Sequence, residues 1–270
     1  MVNQHSDIPN SRLLPSENGR RLIYPLLEPL YRCSQIKADT LHFERGGQAH
    51  GIPRFVMRGP NSSDPIRLGI FAAIHGDEPA GTLALVEFLV DLQTYPELAE
   101  NYMICAYPVC NPTGFEDNIR NARGGGDLNR EFWKHSAEPE VRLLEQELRT
   151  RHFHGIIQLH ADDTSHGLYG FARGATLTKE LLRPALDKAG AVLPLNRNPN
   201  IDGFAALDGI IDDQYEGVLA APAEMEPMPF EIVFETPQLA PLPQQVAALD
   251  VFLREVLAEY RRLISFAQNI

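Results

Sequence analysis

An apolar segment that leads into a polar turn and a proline-started helix is the feature that most constrains this chain. Residues 66–74 are mostly apolar and predict a buried strand. The turn His75-Gly-Asp-Glu78 follows, and Pro79 suits the first position of a helix that continues over residues 82–92. Because proline disfavours the α conformation of the preceding residue, we expect His75 and Glu78 in the turn rather than on a helix face.

This turn has two interpretations. In an open parallel sheet, ligands bind at the carboxyl ends of the strands, so His75 and Glu78 could be two ligands of one metal ion. A polar turn with a capping acid is the alternative, and a pattern of four residues does not exclude it. The choice between them depends on the rest of the chain.

Apolar strands and helical segments alternate along the 270 residues. Beyond the segments above, we expect a hairpin at 40–58, strands at 102–108, 155–160 and 230–234, and helices at 138–150, 176–189 and 243–267. Residues 111–130 and 193–213 have the composition of loops. The alternation predicts an α/β fold in which a mostly parallel sheet lies between helices. We expect a single domain over residues 1–270, with residues 1–20 flexible or lightly attached.

Charge and composition argue against several classes of function. The net charge of −12 disfavours a nucleic-acid partner, and no basic membrane patch is evident. No apolar run reaches the length of about 18 residues that spans a bilayer, and the polar start of the chain lacks the pattern of a secretory signal. Cys33, Cys105 and Cys110 are an odd set without metal-type spacing, which is typical of reduced thiols in a cytoplasmic protein. The oligomeric state is not indicated.

Metal-compatible side chains end three of the predicted strands. His75, His160 and Glu235 each follow an apolar segment, and the carboxyl ends of parallel strands meet at one edge of a sheet. Two histidines and one carboxylate would leave the fourth position of a zinc ion open for water, which is the catalytic arrangement. Zinc lowers the pKa of that water, and a further carboxylate could act as general base.

Five sequence blocks between residues 66 and 237 resemble those of a known enzyme family. They are His75-Gly-Asp-Glu78, Asn111-Pro-Thr-Gly-Phe115, the block Arg120–Phe132 with its Asp-Leu-Asn-Arg, Gln158-Leu-His160, and the strand Phe230–Pro237. In these blocks the chain resembles the zinc carboxypeptidases of the carboxypeptidase A-like superfamily, which includes the succinylglutamate desuccinylase and aspartoacylase branch. The resemblance implies an eight-stranded mixed sheet between helices.

The resemblance also implies roles for individual residues. His75, Glu78 and His160 would hold one zinc ion per chain, as in the His₂Glu site of carboxypeptidase A. Arg120 would polarise the scissile carbonyl, although Arg123 lies near enough in sequence to exchange roles with it.

A loop and a strand would carry the remaining roles. Asn129 and Arg130 would bind the free carboxylate of the substrate, a task that suits the planar fork of arginine. Asp127 is expected to brace their loop.

The general base is expected to be Glu235, which matches the family by its position at the end of a strand. Glu224, Glu226 and Glu231 are alternatives, but on a strand over 230–234 only Glu235 lies at the carboxyl end. Tyr215 has nearly the spacing of a family tyrosine, but its surroundings do not match and we assign it no role.

These residues predict zinc-assisted hydrolysis of an amide or peptide bond next to a free carboxylate, in a cytoplasmic enzyme that acts on small peptides. One alternative is a deacylase of N-acyl amino acids with the same zinc site. Another class, a zinc- or carboxylate-binding protein without catalysis, is also open. A second metal ion would find its nearest extra ligands in Asp162 or Asp163.

Overall fold

A mixed sheet lies at the centre of the protein. The structure is a computed structural model that describes residue 13 and residues 19–61, 63–174 and 178–267, with only the backbone of residues 266 and 267. In this part of the chain the sheet has ten strands in the order β1-β2-β4-β3-β5-β10-β6-β9-β8-β7. The strands are β1 Ile36–Arg45, β2 Gln48–Arg58, β3 Ile66–Ala72, β4 Tyr102–Tyr107, β5 Gly155–Asp162, β6 Tyr169–Gly174, β7 Asn200–Ile201, β8 Phe204–Leu207, β9 Ile210–Ile211 and β10 Phe230–Pro237. Most of the N-terminal segment expected to be lightly attached falls outside the described residues.

The centre of the sheet is parallel and its two ends are antiparallel. Strands β4, β3, β5 and β10 run in parallel, whereas β1 and β2 form a hairpin on one side and β6 pairs antiparallel with β10 on the other. The predicted α/β class and mixed, largely parallel sheet are confirmed. The prediction of eight strands is wrong, because residues 193–213, expected to be a loop, contain β7, β8 and β9. Strands of two to four residues are too short to show a periodicity in the sequence.

Helices cover both faces of the sheet. They are α1 Ile23–Tyr31, α2 Pro79–Thr94, α3 Pro112–Asp117, α4 Pro139–Arg151, α5 Thr178–Ala189 and α6 Leu242–Ala267. Buried side chains of α1, α2, α5 and α6 share one core cluster with the sheet, and those of α4 belong to a second cluster with Phe71 and Tyr107. Phe234 of β10 stacks on Phe252 of α6 with ring centroids 4.0 Å apart, which fixes the long last helix to a central strand. No helix among the described residues is long and apolar enough to cross a membrane.

The turn after β3 is held close to its neighbours by two glycines. A Cβ on Gly76 would lie 2.0 Å from the backbone of Gly114, so the turn packs directly against α3. A Cβ on Gly81 would lie 2.9 Å from Leu159, so the start of α2 packs on β5. Pro79 begins α2, as predicted. These close contacts bring the end of β3 next to the end of β5.

Candidate metal centre and active site

Three buried side chains form a group that can hold one metal ion. His75 and Glu78 lie in the turn between β3 and α2, and His160 lies on β5. One ligand atom from each lies within 4.8 Å of the others, and the three residues are at most 4% exposed. The Glu78 carboxylate lies between the two imidazoles, with Oε1 2.6 Å from His75 Nδ1 and Oε2 3.0 Å from His160 Nδ1.

The donor set and its hydrogen bonding fit a zinc ion. Two imidazoles and one carboxylate are the protein ligands of an open zinc site. Among the described residues, the buried Nε2 of His160 has no hydrogen-bond partner. A buried polar atom without a partner is costly in free energy, and coordination of His160 to a metal ion would reduce that cost. The metal interpretation of the turn therefore has structural support that a plain capping acid would not give.

Burial and mutual charge shift the pKa values of Glu78, His75 and His160. Burial opposes ionisation of Glu78, but His75 and His160 outweigh it and hold the pKa of this carboxyl well below its ordinary value. Burial also opposes protonation of His75, yet Glu78 and Asp127 raise the pKa of His75 to about 9. In His160 burial dominates and lowers the pKa. The metal-free group therefore retains an ionised carboxylate, the form that binds a cation.

Asp127 connects the ligand group to the loop that follows α3. Its Oδ1 lies 3.2 Å from His75 Nε2 and accepts a hydrogen bond from the Asn129 amide at 2.9 Å. Its Oδ2 accepts one from Arg120 Nε at 3.1 Å. Asp127 thus braces the loop, as expected, and also orients a candidate metal ligand, which the sequence did not indicate.

Arg120 rather than Arg123 faces the candidate centre. Its Nη1 lies 3.7 Å from Glu78 Oε1. Arg123 instead forms ion pairs with Asp117 at 2.5 Å and Glu116 at 2.9 Å. The choice between the two arginines is open in the sequence, and their positions favour Arg120 for the predicted role.

Asn129 and Arg130 are consecutive residues, and both line the cavity described below. Asn129 is buried, and its Oδ1 accepts a hydrogen bond from the Leu219 amide at 2.9 Å, so the amide NH₂ group is the part that can donate to a ligand. The Arg130 guanidinium lies 4.1 Å from the ring centroid of Tyr215, a cation–π contact. Tyr215, to which the sequence gave no role, therefore supports Arg130, and its hydroxyl donates to the Asp202 carbonyl at 3.0 Å.

Glu235 faces the same space from β10. It pairs in register with His160 on the neighbouring strand and is half-buried. Burial raises the pKa of Glu235 well above its ordinary value, and the charges of Glu78 and Asp162 raise it further.

The alternative acids lie elsewhere. Glu224 and Glu226 are exposed, and Glu231 is buried with its Oε1 accepting from the Ala221 amide at 2.7 Å. Neither Glu224 nor Glu231 lines the cavity described next; both line a neighbouring one.

One cavity of about 370 Å³ joins all of the predicted site residues. They are His75, Glu78, Arg120, Asn129, Arg130, His160 and Glu235. Asp162 also lines it, but its Oδ2 accepts from the Tyr169 hydroxyl at 2.8 Å and its Oδ1 from Thr164 at 2.7 Å. Neither Asp162 nor Asp163 joins the metal-ligand group found among the described residues.

Known proteins resemble this chain in sequence and in structure. Residues 65–196 match the succinylglutamate desuccinylase/aspartoacylase catalytic domain family. No curated protein matches the chain. A candidate metallopeptidase of known structure from Shewanella denitrificans OS217 is 26% identical with a TM-score of 0.72, and the match covers 87% of this chain and 88% of that one.

Two more distant structures share the fold. A metallo-carboxypeptidase from Burkholderia cenocepacia is 15% identical with a TM-score of 0.67, over 89% of this chain and 68% of that one. A metallo-carboxypeptidase from Pseudomonas aeruginosa, in complex with (2-guanidinoethylmercapto)succinic acid, is 18% identical with a TM-score of 0.59, over 86% and 66%. Over residues 65–196, just under half of its length, the chain therefore resembles the succinylglutamate desuccinylase/aspartoacylase catalytic domain, and it shares the fold of the metallo-carboxypeptidases.

Proposed function

We propose that this protein is a zinc-dependent hydrolase that cleaves an amide bond next to a free carboxylate. The observation that carries the proposal is a single cavity lined by a metal-ligand group, an acid of raised pKa and two arginines. Its volume of about 370 Å³ suits a small ligand. His75, Glu78 and His160 would hold the zinc ion. When bound, zinc would polarise a carbonyl oxygen and acidify a water molecule.

The other residues divide the remaining tasks. Glu235 accepts a proton from the attacking water and later donates it to the leaving amine. A pKa raised above its ordinary value suits a carboxyl group that must do both. Arg120, held by Asp127, places its guanidinium where negative charge develops on the carbonyl oxygen. Arg130 and the amide of Asn129 hold the substrate carboxylate, and Tyr215 limits the movement of Arg130.

The leaving group is an amino acid in both versions of this function, but the acyl side differs. The structural neighbours named as carboxypeptidases favour a peptide. The match to the desuccinylase/aspartoacylase domain favours an N-acyl amino acid. A panel of dipeptides, benzoyl-dipeptides and N-acetyl and N-succinyl amino acids separates the two by relative kcat/KM.

The first experiment is metal analysis of the purified protein coupled to this substrate panel. We expect about one zinc ion per chain, because three protein ligands define one open site. Replacing His75, Glu78 or His160 by alanine should remove it, and full retention of zinc in all three variants would exclude the site. Wild-type protein that binds zinc and carboxylates but hydrolyses nothing would favour a binding protein.

A further inference from the structure

A buried ion pair outside the cavity lies against the loop that carries three of the seven candidate site residues, Arg120, Asn129 and Arg130. Arg45 is the last residue of β1, and its side chain is 13% exposed. It donates to Glu140 through Nε at 3.0 Å and through Nη2 at 2.5 Å, and Nη2 also donates to Glu138. Glu138 and Glu140 flank Pro139 at the start of α4, and Glu140 is fully buried. This arrangement fastens the tip of the β1–β2 hairpin to α4.

The same pair contacts the loop of residues 120–130, here called the glycine loop. Arg45 Nη1 donates to the carbonyl of Arg123 at 3.4 Å, and the amide of Gly126 donates to Glu138 Oε1 at 3.4 Å. Between them, a Cβ on Gly125 would lie 2.8 Å from Glu138 Oε1 and 2.9 Å from Arg45 Nη1. Each hydrogen bond is long, but the loop backbone rests on the pair at three nearby residues.

The glycine loop needs such support because of its sequence. Three consecutive glycines lose more conformational freedom on ordering than other residues, so outside contacts contribute to the shape of the segment alongside its own hydrogen bonds between residues 122 and 125 and between 122 and 126. Asp127 follows immediately, and it contacts His75, Arg120 and the amide of Asn129. A shift of the glycines therefore displaces the residue that aligns these groups.

We propose that Arg45 and Glu138 are positioning residues that fix the glycine loop, so that Arg120 and the Asn129–Arg130 pair face the cavity. Neither residue lines that cavity; both act through the backbone of residues 123–126. The proposed effect on catalysis rests on the hydrolase function above, whereas the effect on the loop does not.

The chain contains a matched control for the contact of Arg45 and Glu138 with the glycine loop, here called the brace. Arg54 of β2 is 12% exposed and donates through Nη1 to both oxygens of Glu147, at 2.7 and 2.8 Å, and it also pairs with Asp39. Glu147 lies on α4, so Arg54 also links the β1–β2 hairpin to that helix. Within the described ranges, Arg54 has no hydrogen bond to the glycine loop. Arg45→Gln and Arg54→Gln therefore remove similar buried ion pairs, and only Arg45→Gln also removes a contact with the glycine loop.

Hydrogen exchange of the full-length protein tests the brace without requiring activity. We expect amides of residues 120–130 to exchange at least about tenfold faster in Arg45→Gln than in Arg54→Gln, because local opening becomes easier where the support is lost. Arg45→Lys, which keeps one charge contact but not the fork, should give an intermediate rate. Equal exchange in Arg45→Gln and Arg54→Gln would overturn the proposal.

A second pair of variants guards against a general loss of folding. Gly125→Ala keeps every charge but pushes on Arg45 and Glu138, whereas a Cβ on Gly126 meets nothing within 4 Å. Loop exchange should be faster in Gly125→Ala than in Gly126→Ala. The opposite order would contradict a brace at Arg45 and Glu138.

Kinetics with a benzoyl-dipeptide that has a free carboxylate add the functional readout. Arg45→Gln should raise KM about tenfold more than Arg54→Gln, because the carboxylate-binding pair is misplaced. Equal KM values in the two variants, together with faster loop exchange in Arg45→Gln, would overturn the effect on binding. A wild-type protein without hydrolytic activity would remove the proposed function and leave the exchange result to decide the brace.

Discussion

Replacing Glu235 by glutamine should remove most of the activity and, at neutral pH, stabilise the metal-free protein. Burial, together with the charges of Glu78 and Asp162, raises the pKa of Glu235 well above its ordinary value of 4.5. The folded wild-type protein therefore holds a proton on Glu235 at pH values where the unfolded chain has released it. Glutamine is neutral in both states, so the variant does not carry this destabilisation.

The size of the effect follows from the pKa difference between the folded and unfolded states. Each unit by which folding raises the pKa destabilises the folded protein by about 1.4 kcal/mol once the pH exceeds the folded-state pKa. The destabilisation is absent at low pH, where both states are protonated, and it grows as the pH rises between the two pKa values. For a chain of this size, 1 kcal/mol shifts Tm by roughly 2–4 °C, so each pKa unit corresponds to roughly 3–6 °C.

Thermal unfolding of chelator-treated wild type and Glu235→Gln is the assay. The two Tm values should agree near pH 4 and separate in favour of the variant near pH 8, because only the higher pH ionises Glu235 in the unfolded chain. The same difference at both pH values would refute the reasoning from burial and charge.

The kinetic consequences of Glu235→Gln are measured on the zinc-loaded protein. We expect kcat to fall at least about 10²-fold, or about 2.7 kcal/mol, since glutamine cannot accept the proton. The pH profile should lose the acidic limb that reports ionisation of the base, and zinc content should stay unchanged because Glu235 is not a proposed ligand. A near-normal kcat would assign the base to another acid, and lost zinc would make Glu235 a ligand.

Three further predictions concern other parts of the site and the core. Arg130→Lys should raise KM for substrates with a free carboxylate by roughly tenfold or more, because a point charge replaces neither the guanidinium fork nor its stacking on Tyr215. Amidation of the substrate carboxylate should have a similar effect. Equal turnover of free and amidated substrates would contradict carboxylate recognition. Arg120→Gln should lower kcat by about 10²-fold, as loss of an oxyanion donor does. Arg123→Gln should change kcat far less, because the partners of Arg123 lie on α3. Reversed results would exchange the roles of the two arginines. Leu257→Ala, in the core contact of α6, should destabilise the protein by about 2–5 kcal/mol in denaturant unfolding without changing zinc content, and a loss of zinc there would show that core and site are coupled.

The sequence was sufficient for those parts of the site that belong to regular elements. His160 and Glu235 end long apolar segments, and the parallel arrangement of such strands brings their carboxyl ends together. The turn from His75 to Glu78 is bounded by a strand and by Pro79, so its position is also set locally.

The parts that could not be predicted depend on contacts between distant segments. The link from Asp127 to His75 and the stacking of Arg130 on Tyr215 join residues 52 and 85 positions apart. No periodicity records such contacts, which depend on how irregular loops pack. The preference for Arg120 over Arg123 likewise depends on the loop conformation, in which Arg123 pairs with Asp117 and Arg120 with Asp127.

The placement of β10 between β5 and β6 links the order of chain synthesis to the appearance of activity. Glu235 lies on the last strand of the described chain, yet that strand occupies an interior position in the sheet. Until it inserts, β5 and β6 have no strand between them and present unpaired edges, which favour aggregation. The proposed zinc ligands His75, which follows β3, and His160 of β5 precede β10 in the chain, so a nascent chain could assemble the proposed metal group before the proposed base. Under the proposed mechanism, hydrolysis would therefore require the closed sheet, and a chain without β10 could bind metal but would lack its proposed base.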